Sequence, residues 1–392
     1  MRSWNRKLRM GMIGGGQGAF IGGVHRIAAT LDQQVELVAG CFSRDPENTK
    51  KSGQELYLDP SRCYQTYEEM AAVEADLPLE DRIDFVSIVT PNVSHYEIAK
   101  TFLEAGFHVV CDKPMTYSLE EAERLCGLVE QTELVFVLTH NYTGHPLVRQ
   151  ARHLFQTGQM GTVRKVIVEY LQDFLMVRHE KLGHKQASWR VDPGQSGLGG
   201  TLGDVGTHAL NLLEYVTGDP VTQICADKST FLPDRTLDED ANVLLRLKGG
   251  GKGVLTVSQI ATGEENGLRL RVYASEGAIH WAQENPNKLY VYRYGQPRQI
   301  LTRGHDEYLG EAAGSVTRIP AGHPEGYLEA FAAIYCGAVE AIRRYLEGAP
   351  MKPEEYNCPN VYDGRRGIEF ITRAVDSSDR GALWVDMSQE IR

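Results

Sequence analysis

Short, uninterrupted hydrophobic runs alternate with amphipathic segments over the first 140 residues. In the amphipathic segments 94–106 and 118–131, apolar residues recur at helical spacing. The hydrophobic runs are rich in Val and Ile, as strands covered on both faces are. They span residues 8–13, 35–42, 83–89, 108–111 and 134–138. This alternation predicts an α/β domain with a parallel, doubly wound sheet.

The pattern changes after Tyr142. A predicted helix at 146–158 leads into an alternating strand at 163–174, a glycine-rich loop at 192–204 and a second helix. Beyond Val221 the alternation indicates antiparallel strands, followed by helices. These segments are a hairpin over 241–261, strands at 268–281 and 288–295, and helices at 324–348 and near 363–377.

Two domains follow from these patterns. The first is the α/β domain of residues 1–142, and the second is an α+β domain of residues 143–392 with a large open, mainly antiparallel sheet. Antiparallel sheets often leave one face uncovered. An uncovered apolar face predicts a subunit interface on this sheet.

Composition narrows the class of protein. The chain has 392 residues, is 42% hydrophobic and carries a net charge of −11, which argues against a nucleic-acid partner. Its seven cysteines form no C-x-x-C pair, so we expect reduced thiols in a cytoplasmic protein and no metal site. We expect neither a signal peptide nor a membrane-spanning helix, because no apolar run is long enough.

A glycine-rich segment, MGMIGGGQGAFIGGVHR (10–26), follows the first strand and opens a helix. That context favours a dinucleotide site, in which glycines let the backbone approach a pyrophosphate at the helix N-terminus. The candidate cofactor-binding residues are Gly14, Gly16, Gln17, Gly18 and Ala19. The third glycine of the usual G-x-G-x-x-G pattern is replaced by Ala19 or displaced to Gly22. The alternative is a glycine turn without a ligand.

The end of the second strand bears on the choice of nicotinamide cofactor. An acidic residue there favours NAD, whereas an arginine accommodates the 2′-phosphate of NADP. Ser43 and Arg44 occupy the expected position and Asp45 follows one residue later. The sequence therefore favours NADP, unless Arg44 is a solvated residue at a helix start and Asp45 its cap.

Two more strands end in candidate ligand-binding loops. Thr90, Pro91 and Asn92 follow the third strand, and Asp112 and Lys113 follow the fourth. Open α/β sheets bind ligands at this carboxyl edge. Lys113 could polarise a substrate oxygen there, although a surface lysine in a turn is the simpler interpretation of an isolated lysine.

The segment GDVGTHALNLLEYVTG (203–218) places a carboxylate, Asp204, four residues before a histidine, His208. If the helix begins at Asp204, both side chains lie on one polar face beside an apolar stripe. A histidine there could carry a proton during oxidation of an alcohol. The alternatives are an ordinary helix start, in which the helix dipole favours Asp204, and a metal pair that lacks further ligands.

Four other residues are weaker candidates for contacting a substrate. Trp189 and Arg190 precede the glycine-rich loop, where an aromatic plate and a cation could meet a sugar. Tyr142 lies at the domain junction and His323 precedes the long helix. Each could equally serve a structural role in its loop.

The order of these motifs resembles that of the glucose–fructose oxidoreductase / inositol dehydrogenase / MocA (Gfo/Idh/MocA) family. The motifs are the glycine loop, T-P-N-x-x-H (Thr90 to His95), D-K-P in place of E-K-P, N-Y (Asn141, Tyr142) and G-D-x-G-x-H (Gly203 to His208). The resemblance covers nearly the whole chain. It implies a Rossmann domain that binds NAD(P) and a second domain with a large open sheet, commonly in dimers or tetramers.

The resemblance also implies residue roles. Lys113, Asp204 and His208 match the family's catalytic lysine, aspartate and histidine, and His95 and Asp112 join the candidate cofactor-binding residues. A cis peptide before Pro114 is implied as well. The expected function is NAD(P)-dependent hydride transfer at a secondary alcohol of a sugar, sugar derivative or cyclitol. The alternatives are a non-catalytic NAD(P)-binding sensor and a glycosidase that recycles NAD.

Overall fold

Residues 6–182 and 189–388 are described by the computed structural model, in which the chain divides into two compact units. The first unit is Met1–His140 with Phe331–Arg365, and the second is Asn141–Ala330 with Arg366–Arg392. The sequence division, at residue 142, placed segment 331–365 in the second domain. The difference arises because hydrophobic periodicity identifies a helix but not the sheet against which it packs.

A five-stranded parallel sheet of order β2-β1-β3-β4-β5 forms the centre of the first unit. Its strands are β1 (Leu8–Gly14), β2 (Val35–Cys41), β3 (Phe85–Val89), β4 (His108–Cys111) and β5 (Phe136–Leu138). The connecting helices are α1 (Phe20–Leu31), α2 (Pro46–Glu55), α3 (Tyr67–Asp76), α4 (His95–Glu104) and α5 (Leu119–Thr132). The central strands β3 and β4 are buried along their whole length, as their unbroken apolar runs predict.

Side-chain caps fix where helices of this unit begin. The Thr66 hydroxyl accepts from the Glu69 N–H ahead of α3. Ser118 and Glu121 form a reciprocal capping box at the start of α5. These caps satisfy backbone N–H groups that have no partner within the helix, so they set the lengths of the loops that leave the sheet.

A nine-stranded sheet of order β13-β12-β11-β10-β6-β9-β8-β7-β14 dominates the second unit. Its strands are β6 (Val163–Leu171), β7 (Val221–Ser229), β8 (Asp240–Leu247), β9 (Lys252–Ser258), β10 (Gly267–Ala274), β11 (Ala278–Ala282), β12 (Lys288–Tyr292), β13 (Gln299–Thr302) and β14 (Val385–Asp386). The longer helices after β5 are α6 (Pro146–Gln156), α7 (Thr207–Thr217), α8 (Tyr327–Leu346) and α9 (Val361–Asp379). Strands β6 and β9 pair in parallel, and the other described neighbours pair antiparallel.

The two faces of this sheet differ. Residues of α6 and α7 join the inward side chains of the strands in one hydrophobic core. Strand β8 shows the alternation: Ala241, Val243 and Leu245 are buried, whereas Leu244 between them is 48% exposed. One face of the sheet therefore supports the helices and the other carries partly exposed apolar side chains.

The predicted fold class is confirmed: a parallel α/β sheet is followed by a unit with a large, mainly antiparallel sheet. The segment 268–281 forms two strands, β10 and β11, because a turn at residues 275–277 reverses the chain. All seven cysteines are free thiols. In the described part of the chain, no helix has the length and apolar character needed to cross a membrane.

Candidate active site

The glycine loop between β1 and α1 is shaped by contacts that exclude side chains. Gly14 has φ +83°, a conformation that favours glycine, and a Cβ there would lie 2.9 Å from Thr90 Cγ2. A Cβ on Gly16 would lie 2.5 Å from Asn48 Oδ1. The Gly16 N–H donates to Phe42 O over 3.2 Å, which ties the loop to the end of β2. Such a bare backbone cradle at a helix N-terminus fits a pyrophosphate.

The displaced third glycine of this motif is Gly22. A Cβ on Gly22 would lie 2.4 Å from Gly15 Cα and 2.7 Å from Gly15 O, so only glycine lets α1 pack against the loop. Ala19 instead precedes the first turn of α1, and its N–H donates to Gly16 O over 3.0 Å. Of the two alternatives that the sequence left open, the packing role falls to Gly22.

Gln17 and Gly18 form the exposed tip of the same loop. The Gln17 N–H donates to Ser52 Oγ over 3.0 Å, and its side-chain amide donates to Glu55 Oε1 over 2.6 Å. Gly18 has φ +82°, with open space where a Cβ would be. The loop tip is thus attached to α2 and faces solvent.

After β2, no carboxylate occupies the expected ribose-binding position. Arg44 is exposed there. Ser43 is held by backbone hydrogen bonds with the Thr49 hydroxyl, and its own hydroxyl accepts from the Asp45 N–H over 3.1 Å. The Asp45 side chain caps α2 by accepting from the Glu47 N–H over 3.0 Å.

His95 joins the loops that follow β3 and β4. Its ring is buried, with Nε2 2.8 Å from Thr90 O and Nδ1 2.9 Å from Pro114 O. Burial lowers the pKa of His95. Pro91 and the buried Asn92 lie between these anchors, at the start of a short helical turn (Asn92–Ser94). His95 therefore links the two loops through its ring nitrogens, and its ring is buried.

Asp112 organises the backbone around Lys113. Its Oδ1 accepts from the Lys113 N–H over 2.9 Å and from the Thr139 hydroxyl over 3.0 Å. The Lys113–Pro114 peptide is cis, which confirms the expectation drawn from the resemblance. The Asp112 side chain thus holds the backbone at the point where Lys113 leaves the carboxyl end of β4.

A buried polar cluster that sequence reasoning missed lies behind this strand end. His25 Nδ1 is 2.7 Å from the Tyr335 hydroxyl and 3.2 Å from Ser87 Oγ, and His25 Nε2 is 4.0 Å from Asp112 Oδ1. Burial lowers the pKa of His25 to about 4. Tyr335 comes from α8, so its partner could not be found from local sequence.

In the second unit, Asp204 and His208 lie on consecutive turns of different geometry. Residues Leu202–Gly206 form a wide π-type turn, closed by a hydrogen bond from the Thr207 N–H to Leu202 O. His208 follows in the first turn of α7 and is 7% exposed. The prediction of an ordinary helix starting at Asp204 was therefore wrong, since the chain widens there before the regular helix begins. Wide turns of this kind are frequent at functional sites.

A chain of polar side chains runs across the sheet to Asp204. Gln259 Nε2 donates to Asp204 Oδ2 over 2.9 Å and to Gln172 Oε1 over 3.0 Å. Asn266 Oδ1 accepts from Gln172 Nε2 over 2.9 Å and from the Tyr170 hydroxyl over 2.7 Å. We call these five residues and Tyr142 the polar network.

Tyr142 ends the network beside His208. Its hydroxyl is 2.5 Å from that of Tyr170, and its ring meets the His208 imidazole edge-on at 4.9 Å between centroids. Burial raises the pKa of both tyrosines, and the negative charge of Asp204 adds to the effect. Both phenols therefore stay protonated and can donate hydrogen bonds near neutrality.

Arg190 also reaches Asp204, with its Nε 3.4 Å from Asp204 Oδ2. Its guanidinium lies over the Trp189 ring, 4.8 Å from the centroid. His323 is different: its ring is exposed and its Nδ1 lies 3.3 Å from Pro320 O. The structure thus brings Arg190 to Asp204 with the Trp189 ring against its guanidinium, whereas His323 belongs to a separate turn.

Sequence reasoning missed Gln172, Gln259 and Asn266. They converge because β6 and β9 end side by side as a parallel pair and β10 starts beside β6, with Leu171 paired to both Ser258 and Gly267. The available sequence signal was a polar residue just beyond the end of a strand. The parallel pairing that brings these residues together could not be predicted from an alternating pattern.

Over residues 6–182 and 189–388, the structure shows no group of three or more His, Cys, Asp or Glu side chains arranged to hold a metal ion. What it shows is a glycine cradle in one unit and an acid, a histidine and a polar network in the other. This combination is typical of an oxidoreductase that uses a dinucleotide.

Comparison with known proteins identifies the class. Residues 8–140 match the model of the oxidoreductase family with an NAD-binding Rossmann fold, and residues 148–280 match the GFO/IDH/MocA C-terminal domain. The chain belongs to the Gfo/Idh/MocA family of NAD(P)-dependent oxidoreductases.

Individual relatives are similar over almost their whole length. The oxidoreductase YfiI of Bacillus subtilis is 34% identical over 97% of each chain. The levoglucosan dehydrogenase of Pseudarthrobacter phenanthrenivorans is 26% identical over 98% of this chain and 99% of its own. An inositol dehydrogenase homolog from Azotobacter vinelandii, solved with NAD⁺, is 37% identical over 98% of each chain, with a TM-score of 0.94.

Proposed function

We propose that the chain is a dehydrogenase that oxidises a secondary hydroxyl of a cyclic polyol, either a cyclitol or a sugar. The observation that carries the proposal is the grouping of Asp204, His208 and a donor-rich polar network on one face of the second unit. Hydroxyl-rich rings need many fixed donors and acceptors, and the tyrosine and amide groups supply them. The similarity to a levoglucosan dehydrogenase and to an inositol dehydrogenase homolog supports the same substrate class.

NAD(P) would be held by the glycine cradle of Gly14 and Gly16 at the start of α1. The cradle fits because both glycines pack closely against Thr90 and Asn48 and carry no side chain that could cover the backbone at the start of α1. When bound, the nicotinamide supplies the hydride acceptor. The protein's own part is to place the alcohol, take its proton and exclude competing reactions.

In the proposed mechanism, His208 accepts the proton of the reacting hydroxyl through an imidazole nitrogen. The ring is oriented by the packing of Tyr142 against it. Asp204 lies one turn earlier and accepts a hydrogen bond from either the imidazole or a substrate hydroxyl. Lys113 is assigned the role that the resemblance implies, the stabilisation of negative charge on the reacting oxygen. Its backbone N–H donates to Asp112 Oδ1.

We further propose a preference for NADP, which rests on Arg44. Arg44 is exposed beyond β2, and Asp45 is engaged in capping α2 rather than facing outward as a ribose acceptor. A guanidinium there pairs well with a 2′-phosphate. The ratio of kcat/KM for NADP to that for NAD measures the preference.

Assembly through the open sheet is also proposed. Leu244 and Ile300 are 48% and 45% exposed on strands β8 and β13. Burial of such side chains against a second copy would stabilise a homodimer or homotetramer. Sedimentation of the wild type and of Leu244→Lys tests this, since a charge at the interface shifts the protein toward monomer.

Free thiols and the absence of a disulfide among the described residues support a cytoplasmic location.

The test of function is a panel of cyclitols and sugars with NAD and with NADP, followed at the nicotinamide absorbance band. A rise in reduced nicotinamide with a polyol supports the proposal. Tight cofactor binding without turnover indicates a sensor. Release of sugar from a glycoside without net absorbance change indicates an NAD-recycling glycosidase. Either of the last two results overturns the dehydrogenase assignment.

A further inference from the structure

Gln259 is a buried amide at the end of β9 that no motif singles out. Its side chain is 2% exposed, and its backbone is fixed by hydrogen bonds from the Gln259 N–H to Glu239 O and from the Leu175 N–H to Gln259 O. The side chain extends to the wide turn that carries Asp204. A rigid backbone combined with a buried polar tip indicates a side chain with a defined partner.

The neighbours of Gln259 determine which way its amide points. Nε2 lies near two acceptors, Asp204 Oδ2 at 2.9 Å and Gln172 Oε1 at 3.0 Å. Oε1 accepts from the Thr201 hydroxyl over 3.3 Å. Rotation of the amide by 180° would bring its oxygen against the carboxylate. Gln259 therefore donates to Asp204.

One hydrogen bond and one ion pair, from separate segments, meet the same carboxylate oxygen. Gln259 Nε2 approaches Asp204 Oδ2 from the sheet, and Arg190 Nε approaches it from the loop before residue 192. The guanidinium stabilises the charge of the carboxylate, and the hydrogen bond from Gln259 fixes the position of Oδ2. The Asp204 side chain is only 20% exposed, so few water molecules can replace a lost donor.

We propose that Gln259 is a positioning residue that holds the Asp204 carboxylate in its reactive orientation. The inference rests on the proposed dehydrogenase function and deepens it. Hydrogen bonds to charged groups are the stronger kind in proteins, and misplacement of a catalytic group slows the reaction. We expect Gln259→Leu to lower kcat/KM roughly 10- to 100-fold.

The experiment compares Gln259→Leu, Asp204→Asn and their double variant on the best polyol found in the panel. Because Gln259 acts through Asp204, the double variant should be no slower than Asp204→Asn alone. Cofactor affinity, measured by NADH fluorescence, should stay at the wild-type value. Gln223→Leu is the matched control, since Gln223 makes its hydrogen bonds with Asp386 and Arg246 at the far edge of the same sheet. It should retain wild-type kcat/KM.

Gln259→Glu keeps the size of the side chain and guards against misfolding of the leucine variant. The glutamate places a second carboxyl group beside that of Asp204. The two carboxyl groups can pack this closely only when they share a proton. The activity of Gln259→Glu relative to wild type should fall as pH rises through the range in which that proton is lost. The other titratable or charged groups that face this site are Arg190, His208, Tyr142, Tyr170 and Asp238, which are the same in both proteins.

The outcomes are distinct. If the wild type turns over a polyol and Asp204→Asn is slow, but Gln259→Leu keeps full activity, the positioning role is wrong and the dehydrogenase assignment stands. Multiplicative losses in the double variant would also refute it, because Gln259 would then act independently of Asp204. If the wild type shows no polyol turnover with either cofactor, the proposed function fails and this inference fails with it.

Discussion

The packing of Gly22 against Gly15 leads to a prediction with opposite signs at two adjacent residues. Gly22 and Gly23 both lie in α1. A Cβ on Gly22 would lie 2.4 Å from Gly15 Cα, whereas the nearest atom to a Cβ on Gly23 is the flexible Arg26 Nη2 at 4.0 Å. Gly22→Ala should therefore destabilise the first unit, and Gly23→Ala should stabilise it.

The magnitudes follow from two effects. Replacing a helix glycine by alanine gains about 1 kcal/mol of helix propensity. Overpacking costs about 1–3 kcal/mol, and backbone atoms that cannot rotate away place Gly22 at the upper end of that range. The net loss at Gly22 is about 2 kcal/mol, or a melting temperature lower by about 4–8 °C. Gly23→Ala should raise it by about 2–4 °C.

Calorimetry of the two variants gives the stability change, and titration with NADH followed by fluorescence gives the cofactor affinity. Displacement of the glycine loop should weaken NADH binding about tenfold or more in Gly22→Ala and leave it unchanged in Gly23→Ala. Equal stability and equal NADH affinity of the two variants would show that the helix does not depend on this close approach.

Three further predictions concern charge. Arg44→Asp should lower the kcat/KM ratio of NADP to NAD by about tenfold or more, because the 2′-phosphate then meets a carboxylate. Arg366→Met should cost about 3–5 kcal/mol in urea unfolding, because it leaves Glu214 buried without its cation. Between pH 6.5 and 4 the first unit should lose stability, by about 2 kcal/mol at pH 5 for each buried neutral histidine, since the unfolded chain takes up the proton first.

Controls for these predictions are available in the same chain. Burial lowers the pKa of His108 to about 3 and that of His140 to about 3. Replacing His108 by Phe should therefore reduce the loss of unfolding free energy at acid pH, measured by urea unfolding. The exposed Arg380–Asp376 pair is the comparison for Arg366, and Arg380→Met should change stability by less than about 1 kcal/mol. A similar loss for Arg380 and Arg366, an unaltered cofactor ratio in Arg44→Asp, or an acid profile unchanged without His108 would contradict the respective predictions.

Local sequence predicted the first unit well because its signals are local. The central strands β3 and β4 are short runs buried on both faces, and the glycine loop lies between neighbouring elements. Gly22 could be named as a candidate from spacing alone. Its role became clear only from the position of Gly15 in space.

The rest depended on contacts between distant segments. Tyr335 contacts His25 although 310 positions separate them in the sequence. Segment 331–365, which contains Tyr335, packs with the first unit across a similarly long separation. Gln259 meets Gln172 because β6 and β9 pair in parallel, which alternation along one strand does not specify. The widened turn at Asp204 also follows from its surroundings, with Asp238 accepting from the Gly200 and Leu202 N–H groups.

Whether His208 carries the proton is tested most directly by His208→Gln, with His153→Gln on α6 as the matched control. The measurement is single-turnover reduction of the preferred nicotinamide by the best polyol, with NADH affinity recorded in parallel. We predict that His208→Gln binds NADH normally and loses about 10²–10⁴-fold in rate, whereas His153→Gln retains the wild-type rate. An unchanged rate in His208→Gln would contradict the proposed mechanism.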